Sequence, residues 1–258
     1  MKIHRHPLAA VAALLLAGLA SAQPVSPLDA ARAALKANDL GRAEMLLLPL
    51  TGTDAKDAAA FHALGQLRER QRNLKEAVAA HEQATRLDPS RPEYFSALGV
   101  ALSQRMGEMN FMQQAMTAGK MKKAFEKSVE LDPEHVAGLI GLARYYTNAP
   151  EIAGGSLEKA KEFAARVAVL VPFLGESEYG SIAEKGEDFA GALAHFEAAL
   201  KLNADNAGLL NACGRMLVKL GRKDEARAHF EAALRLNPNL DSAKKALAGL
   251  DAPTEAKS

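Results

Sequence analysis

A set of small and aromatic residues recurs in this chain at one fixed spacing, and this repetition constrains the fold more than any other feature. The matching pairs are Ala192 and Ala226, Phe196 and Phe230, and Ala199 and Ala233. The same register returns at 73–89 and at 124–133. A fixed period of this length is typical of arrays in which one supersecondary unit is stacked many times.

These residues resemble the tetratricopeptide repeat, a helix–turn–helix unit of about 34 residues. The resemblance gives six repeats at about 24–57, 58–91, 92–135, 136–172, 173–206 and 207–240. Repeat position 8 is then small throughout: Ala31, Gly65, Gly99, Ala143, Gly180 and Gly214. Position 20 is Ala43, Ala77, Met121, Ala160, Ala192 and Ala226, with one departure from alanine. Small side chains at the crossing allow two helices to approach closely.

The resemblance implies an all-α fold, an α-solenoid in which helix hairpins stack into a right-handed superhelix. We expect the array to span residues 23–250, with a capping helix at 241–250 and a disordered tail at 251–258. Pro89, Pro133, Pro172 and Pro238 follow the second helices of four repeats, where proline ends a helix because it lacks the N–H group. Scarce aromatic residues and the absence of Trp also fit packed helices better than sheets.

The segment 1–22 has the layout of a secretory signal peptide. Lys2 and Arg5 precede an apolar stretch from Leu8 to Ala20, and small residues lead to a cleavage site near Ala22. The stretch is shorter than the roughly 20 residues that cross a bilayer. We therefore expect a periplasmic or secreted protein with no membrane span after cleavage.

Charge and cysteine content exclude several classes of partner and site. The chain has 32 basic and 31 acidic residues, so no overall charge favours nucleic acid or an anionic membrane. Cys213 is the only cysteine and cannot form an internal disulfide. Its apolar helical position predicts core packing, with a reactive thiol or an intermolecular disulfide as the alternative. No cofactor is expected.

Repeats three and four are longer than the other repeats, and we place the extra residues between the two helices of each unit. In repeat four the segment 145–156 carries a Tyr-Tyr-x-x-Ala-Pro-x-x-x-Gly-Gly motif, which resembles a group of exported bacterial tetratricopeptide proteins. Gly154-Gly155-Ser156 lacks the surrounding pattern of a phosphate-binding loop. We expect a turn with positive φ in the loop 148–156, and Ser156 as the cap of a helix starting at Leu157.

Five of the eight methionines lie in repeat three, at Met106, Met109, Met112, Met116 and Met121. Spacings of three and four residues would place them on one helical face. Such a face can belong to the core, to an adaptable partner groove or to a Cu(I) site, since thioethers are soft ligands. We assign no metal site, because neither Cys nor His lies within that segment.

Catalytic motifs are absent from the sequence. His81, His195 and His229 occupy equivalent or adjacent repeat positions, which reflects repetition and not a converging site. No His-Glu-x-x-His, paired Cys-x-x-Cys or Gly-x-Ser-x-Gly segment occurs. We therefore predict a protein that is not an enzyme.

The resemblance also implies a partner-binding groove, lined by the first helix of each repeat. The candidate residues are Gln66, Arg70, Gln104, Arg144, Asn148, Lys185, Asn211, Arg215 and Lys219. Asn side chains can bond both the N–H and C=O of an extended peptide, and Arg can hold a carboxylate with two hydrogen bonds. The hypothesis is an acidic or carboxylate-bearing peptide segment of a cell-envelope protein; ordinary solvated residues are the alternative.

The carboxylate clamp found in some members of this family needs a Lys and an Asn at positions 5 and 9 of one repeat. Asn211 and Arg215 occupy those positions in repeat six, and no repeat has the required pair. The sequence thus predicts a non-catalytic scaffold or adaptor for protein partners. A Met-rich Cu(I)-binding periplasmic protein and an enzyme without a sequence motif are the alternatives; the oligomeric state is left open.

Overall fold

The computed structural model describes residues 25–251, and these form helices without strands. The predicted signal peptide and residues 252–258 lie outside the described range. Thirteen α-helices follow one another in the described part: α1 (Pro27–Lys36), α2 (Leu40–Leu47), α3 (Ala58–Arg70), α4 (Leu74–Leu87), α5 (Pro92–Arg105), α6 (Phe111–Leu131), α7 (Val136–Asn148), α8 (Leu157–Leu170), α9 (Pro172–Lys185), α10 (Phe189–Leu202), α11 (Ala207–Lys219), α12 (Lys223–Leu236) and α13 (Asp241–Asp251). Short 3-10 turns occur at Leu48–Thr51, Met106–Glu108 and Glu151–Ala153. The all-α prediction is confirmed.

The helices pack as six consecutive hairpins, from α1 with α2 to α11 with α12. The second helix of each hairpin also packs against the first helix of the next. In addition, α1 contacts α3, α3 contacts α5, α5 contacts α7 and α7 contacts α9. First helices of neighbouring hairpins therefore lie side by side, and they share one surface of the array.

Small residues at repeat position 8 allow an aromatic ring from the second helix to lie directly on the first helix. A Cβ atom added at Gly99, Gly180 or Gly214 would lie 2.5–2.6 Å from the ring of a phenylalanine on the paired helix. Those rings belong to Phe125, Phe196 and Phe230, which are almost fully buried. Any side chain on the glycines would push the two helices of the hairpin apart.

Four hairpins share the same tight turn between their helices. The central turn residue has a positive φ: 58° at Asn38, 61° at Arg72, 62° at Glu187 and 77° at Gly221. Asn38 and Gly221 favour this conformation, whereas Arg72 and Glu187 do not, so in repeats two and five the turn is set by the helix packing and not by the residue.

Repeats three and four replace that turn with longer connections. In repeat three the 3-10 turn and the first turns of α6 take up the extra residues, so the insertion is largely helical and not a loop between helices. In repeat four the connection is a loop in which Gly154 has φ 86°. Ser156 accepts a hydrogen bond from the N–H of Lys159 and caps α8, which starts at Leu157 as predicted.

The alanines at repeat position 20 and one face of the C-terminal helix are buried in the core. Ala43, Ala77, Ala160, Ala192 and Ala226 are fully buried. In α13, Ala243 joins the core cluster formed by α10, α11 and α12, while the lysines of α13 face solvent.

The lone cysteine lies inside the same cluster. Cys213 is fully buried, and burial raises the pKa of its thiol to about 12, with a smaller contribution from the carboxylate of Glu197. A thiol in this state is protonated and poorly nucleophilic at neutral pH. The prediction of core packing is confirmed.

Candidate groove on the first helices

A cavity of about 620 Å³ opens between α7, α9 and α11. Four of the predicted groove residues lie in its wall: Arg144, Asn148, Lys185 and Lys219. The remaining lining residues are Thr147, Ser181, Glu184, Glu187 and Phe189. The first helices of three successive repeats thus contribute to one polar concave surface.

A second cavity of about 290 Å³ lies beside the first, because Arg144 and Ser181 line both. Arg215, another predicted residue, lines this smaller cavity. Its wall includes the apolar residues Phe173, Leu174, Phe196, Leu209 and Ala212. We refer to the two cavities together as the C-terminal groove; it combines a polar section with an apolar one.

Arg144 in this groove is paired with a buried carboxylate. Its Nε and Nη2 atoms donate hydrogen bonds to Oε1 of Glu178 on α9, at 3.0 and 2.8 Å. The Glu178 side chain is 2% exposed and that of Arg144 is 63% exposed. Burial raises the pKa of Glu178, and the charge of Arg144 opposes that rise. Arg144 therefore stabilises an ionised group inside the array and is only partly available to a ligand.

Arg215, two repeats further on in α11, is engaged in a similar way. Both of its terminal nitrogens donate to the carboxylate of Glu184 on α9, the Nη2–Oε2 distance being 3.0 Å. This pair is more exposed than the first, with 45% of the Arg215 side chain and 26% of the Glu184 side chain accessible. The two arginines predicted to hold a ligand carboxylate thus already hold carboxylates of α9.

Lys185 and Lys219 occupy the same position in repeats five and six, at the ends of α9 and α11. Both side chains are exposed, and neither forms an ion pair with another described residue. The Lys219 ammonium lies 5.7 Å from the centre of the Phe189 ring, a cation–π distance. These two lysines are the cations of the groove that remain open to an anionic ligand.

The two predicted asparagines differ in their availability. Asn148 lines the larger cavity, and its amide nitrogen donates to the carbonyl of Arg144 at 2.8 Å. Asn211 is half-buried on α11, lines neither cavity, and has an Oδ1 atom without a hydrogen-bond partner among the described residues. The structure thus brings Asn148 to the groove and leaves Asn211 beside it.

The remaining predicted residues lie in the N-terminal repeats, away from the C-terminal groove. Gln66 hydrogen-bonds to the ring of His62 at 3.0 Å, and Arg70 donates to the carbonyl of Leu35 on α1. Gln104 is exposed near the end of α5. Gln66 thus bonds within α3, and Arg70 joins α3 to α1. Neither residue lines the two cavities of the C-terminal groove.

A buried histidine replaces the core aromatic residue in repeat two. His81 is fully buried with its ring on Gly65, the arrangement that phenylalanine has in repeats three, five and six. Both ring nitrogens lack a hydrogen-bond partner among the described residues, and Nε2 lies 3.6 Å from Oε1 of Glu69. The ring of His62 is 5.2 Å away, and burial lowers the pKa of His62 to about 4.

The other described histidines each have a different partner and do not form a cluster. His195 hydrogen-bonds to Glu176 at 2.8 Å, and His229 bonds to the backbone of its own helix. His135 contacts the Ser96 hydroxyl at 2.9 Å. No group of three or more His, Cys, Asp or Glu side chains that could hold a metal ion occurs in residues 25–251.

The five methionines of repeat three do not share one helical face. Met106 and Met109 belong to the turn before α6, where the Met109 sulfur accepts a hydrogen bond from Thr117. Met112 and Met116 are exposed, whereas Met121 is buried. The predicted single face is wrong, because the helix starts only at Phe111 and its opposite sides face solvent and core.

Residues that the sequence analysis missed are the acidic and aromatic partners in the groove. Glu178 and Phe189 affect how much charge the groove presents, and neither is at a position that the family resemblance marks, whereas Glu184 is at such a position. A signal for Glu178 was present, since it is a carboxylate among the small and apolar residues of α9.

Comparisons with known proteins agree with the architecture. Two models of the tetratricopeptide repeat match the chain, one over residues 60–93 and the other over residues 180–241. A solved tetratricopeptide repeat protein from Parabacteroides merdae superposes with a TM-score of 0.71 at 15% identity, covering 89% of this chain and 86% of its own. The Cut9-Hcn1 hetero-tetramer of the APC/C gives 0.68 at 16% identity, over 91% of this chain and 44% of that one.

One curated relative is similar in sequence. The BBSome complex member bbs-4 of Caenorhabditis elegans is 26% identical over 180 residues, which is 66% of this chain and 36% of that protein. The chain thus spans about a third of the length of this relative.

The packing and these matches define the fold class. The described residues form an α-solenoid of tetratricopeptide repeats with a C-terminal capping helix, as predicted. Within residues 25–251, none of the helices has both the length and the apolar character that crossing a bilayer requires. A fold of this class is a scaffold for protein–protein interaction.

Proposed function

We propose that this protein is a non-catalytic adaptor that binds an extended peptide segment of a protein partner in the C-terminal groove. The observation that carries the proposal is the open cavity of about 620 Å³, lined by exposed polar side chains from three first helices. A concave polar surface on rigid helices fixes a peptide without reorganising the protein, which lowers the entropic cost of binding.

The charges of the groove define the chemistry of that peptide. Arg144 and Arg215 are already paired with carboxylates, so Lys185 and Lys219 would bind the anionic group. Glu184 and Glu187 lie in the same wall and would repel a long acidic run. The ligand that fits best has one carboxylate next to apolar residues, which would pack in the section lined by Phe173, Leu174 and Leu209.

We place this adaptor outside the cytoplasm, with a cell-envelope protein as its partner. Support comes from the basic, apolar and small-residue pattern of residues 1–22. The sequence relative bbs-4 is named as a member of a protein complex, which supports a role in assembly. No observation in the groove favours copper binding or catalysis as a second function.

The first experiment identifies the partner. A photo-crosslinking amino acid at Asn148 in the groove, and at Ala228 on the exposed side of α12 as a control, would be introduced into the chain in its own host. We expect one protein to be captured through position 148 and not through position 228, as determined by mass spectrometry. Equal capture at both positions would contradict a groove-specific partner.

The second experiment tests the lysines with the purified partner. Lys185→Glu with Lys219→Glu should weaken binding at least about tenfold, because two charge-assisted contacts worth about 1.4 kcal/mol or more are lost. The matched control is Lys201→Glu with Arg235→Glu, two exposed residues in the last turns of α10 and α12. An unchanged dissociation constant for the groove variant, measured by calorimetry, would exclude the proposed site.

Charge reversal at Arg144 is a poor test of the groove. Arg144→Glu would place a second carboxylate next to buried Glu178 and destabilise the fold, so a loss of binding would have two explanations. Lys185 and Lys219 avoid this problem because both are exposed and form no ion pair with a described residue.

A further inference from the structure

The start of α6 extends beyond the other second helices. α6 has 21 residues, whereas α4, α8, α10 and α12 have 14. Like α4 and α12, α6 ends in a Leu that precedes an Asx-Pro pair, so the additional residues lie at its N-terminal end. At 1.5 Å per residue, the surplus is about 10 Å of helix.

This extension carries an exposed apolar surface, which we call the α6 tip and define as Phe111, Met112, Ala115 and Met116. Phe111 is 86% exposed, Met112 74% and Met116 68%. Phe111 is four residues from Ala115 and Met112 is four residues from Met116, so the two pairs lie on adjacent parts of one side of the helix, opposite buried Thr117 and Met121. Ile152, fully exposed in the next repeat, also lies on the edge where first and second helices are joined.

The part of α6 behind the tip carries positive charge, and one exposed carboxylate, Glu108, precedes the tip. From Met109 to Phe125 the chain contains no acidic residue and three lysines. Lys122 is 3.5 Å from Glu126, while Lys120 and Lys123 are exposed and form no ion pair with a described residue. Lys120 is nine residues beyond Phe111, which is about 13 Å along the helix axis.

Several polar backbone groups at the tip have partners within the segment. Asn110 and Gln113 form a reciprocal capping box, with N–O distances of 3.0 and 3.2 Å. The Gln114 amide donates to the carbonyls of Met106 and Met109. The capping box therefore satisfies two of the backbone N–H groups at this end of α6, those of Asn110 and Gln113, which lowers the cost of moving it into an apolar medium.

We propose that the α6 tip inserts shallowly into the surface of an anionic phospholipid bilayer. Apolar residues at the end of an element enter such a surface by about 5–10 Å, and lysines behind them meet the lipid phosphates. The tip and Lys120 have this order along α6. A second copy docking through the same surface would bring lysines against lysines, with no acidic residue in the segment to compensate them.

Site-specific fluorescence tests this proposal on the whole chain. A nitrobenzoxadiazole label at Ala115→Cys would report the tip, and the same label at Ala228→Cys on α12 would serve as control; buried Cys213 stays unlabelled. With vesicles of phosphatidylcholine and phosphatidylglycerol we expect a blue shift and a severalfold intensity increase at position 115 only. No shift at position 115 would overturn the proposal, even if the chain binds the vesicle through another segment. Equal shifts at both positions would also overturn it.

Two sets of variants, read with the label at position 115, separate the apolar and ionic contributions. Phe111→Ser with Met112→Ser should reduce the vesicle-bound fraction at least about tenfold, because two large apolar side chains are lost from the interface. Val169→Ser, equally exposed on α8, should leave binding unchanged. Lys120→Glu with Lys123→Glu should abolish the preference for phosphatidylglycerol. Binding unaffected by the tip variant, or a dimer in sedimentation that the tip variant dissolves, would contradict insertion.

Discussion

At the scale of single residues, the hairpins depend on a ring of the second helix that packs on a small residue of the first. Repeats three, five and six use Phe125, Phe196 and Phe230 for this purpose, and repeat two uses His81. Phenylalanine satisfies such a site entirely through apolar contacts. Histidine brings two polar nitrogens, and neither has a hydrogen-bond partner among the described residues. Repeat two therefore has a destabilising residue at a position where the other repeats have none.

The first prediction concerns this position. His81→Phe should raise the free energy of unfolding by about 1 kcal/mol or more, because it removes buried polar groups without partners and fills the site with the ring that the fold accepts elsewhere. The reciprocal change Phe230→His should lower it by about 2–4 kcal/mol. Urea denaturation followed by circular dichroism measures both. A less stable His81→Phe variant would show that the histidine has partners that compensate its burial.

The second prediction concerns His62 and pH. Burial, and to a smaller extent the nearby His81, lowers the pKa of His62 from 6.5 to about 4 in the folded protein. Between these values the unfolded chain binds a proton that the folded chain does not bind, so stability falls as the pH falls from 6.5 towards 4. We expect a loss of about 2 kcal/mol between pH 7 and pH 5 from this residue.

His62→Gln provides the control, because it retains a polar side chain that does not titrate. Denaturation of the variant and of the unmodified chain at both pH values should show a smaller pH dependence in the variant. The same slope in both proteins would mean that His62 is not the group responsible.

At the scale of elements, α7, α9 and α11 are joined by ion pairs that run across the groove. Glu178 and Glu184 both lie on α9, one facing Arg144 of α7 and the other facing Arg215 of α11. The two pairs differ mainly in burial, since Glu178 is 2% exposed and Glu184 is 26% exposed. This difference makes them a matched comparison of a buried and an exposed ion pair.

The third prediction uses this comparison. Arg144→Ala should cost about 2–3 kcal/mol of stability at pH 7, because it leaves a buried carboxylate without its partner. Arg215→Ala should cost less than about 1 kcal/mol, since water can solvate Glu184. Chemical denaturation of both variants gives the two values, and equal losses would contradict the role assigned to burial.

The pH dependence of the Arg144 variant follows from the same carboxylate. Burial raises the pKa of Glu178, and without Arg144 that rise is no longer opposed. A carboxyl group whose pKa is raised on folding stabilises the folded state while it is protonated, and this contribution is lost as the pH rises through the folded-state pKa. The cost of Arg144→Ala should therefore be smaller at pH 5 than at pH 7.

At the scale of the whole molecule, the solenoid has a succession of local cores and no single centre. One cluster joins α1, α2 and α3, a second runs through the middle repeats, and a third joins α10, α11, α12 and α13. Each repeat is stabilised mainly by its neighbours, so damage at one end should remain near that end.

The fourth prediction tests this locality. Deleting residues 241–258 removes α13, including fully buried Ala243, and exposes the apolar surface of α11 and α12. Hydrogen exchange followed by mass spectrometry should become faster in α11 and α12 and remain unchanged in α3 and α4. Deletion of 252–258 alone is the control and should have no effect. Faster exchange throughout the chain would indicate one cooperative core.

The sequence by itself determined the repeat architecture, because small and aromatic residues recur at the spacing of one helix hairpin and each has a direct steric role in packing. It also identified Ser156 as a helix cap and Cys213 as a core residue, since both depend on local pattern. Four of the nine predicted groove residues line the larger cavity: Arg144, Asn148, Lys185 and Lys219.

Only the tertiary structure decided which of those groups are already paired. Ion pairs such as Arg144 with Glu178 join residues of different repeats, and the irregular lengths of repeats three and four shift the register between them. The same irregularity placed extra residues of repeat three in the protruding start of α6, with its apolar side facing solvent. Periodicity specifies the average repeat, whereas the partners of a charged side chain depend on the particular distances between neighbouring helices.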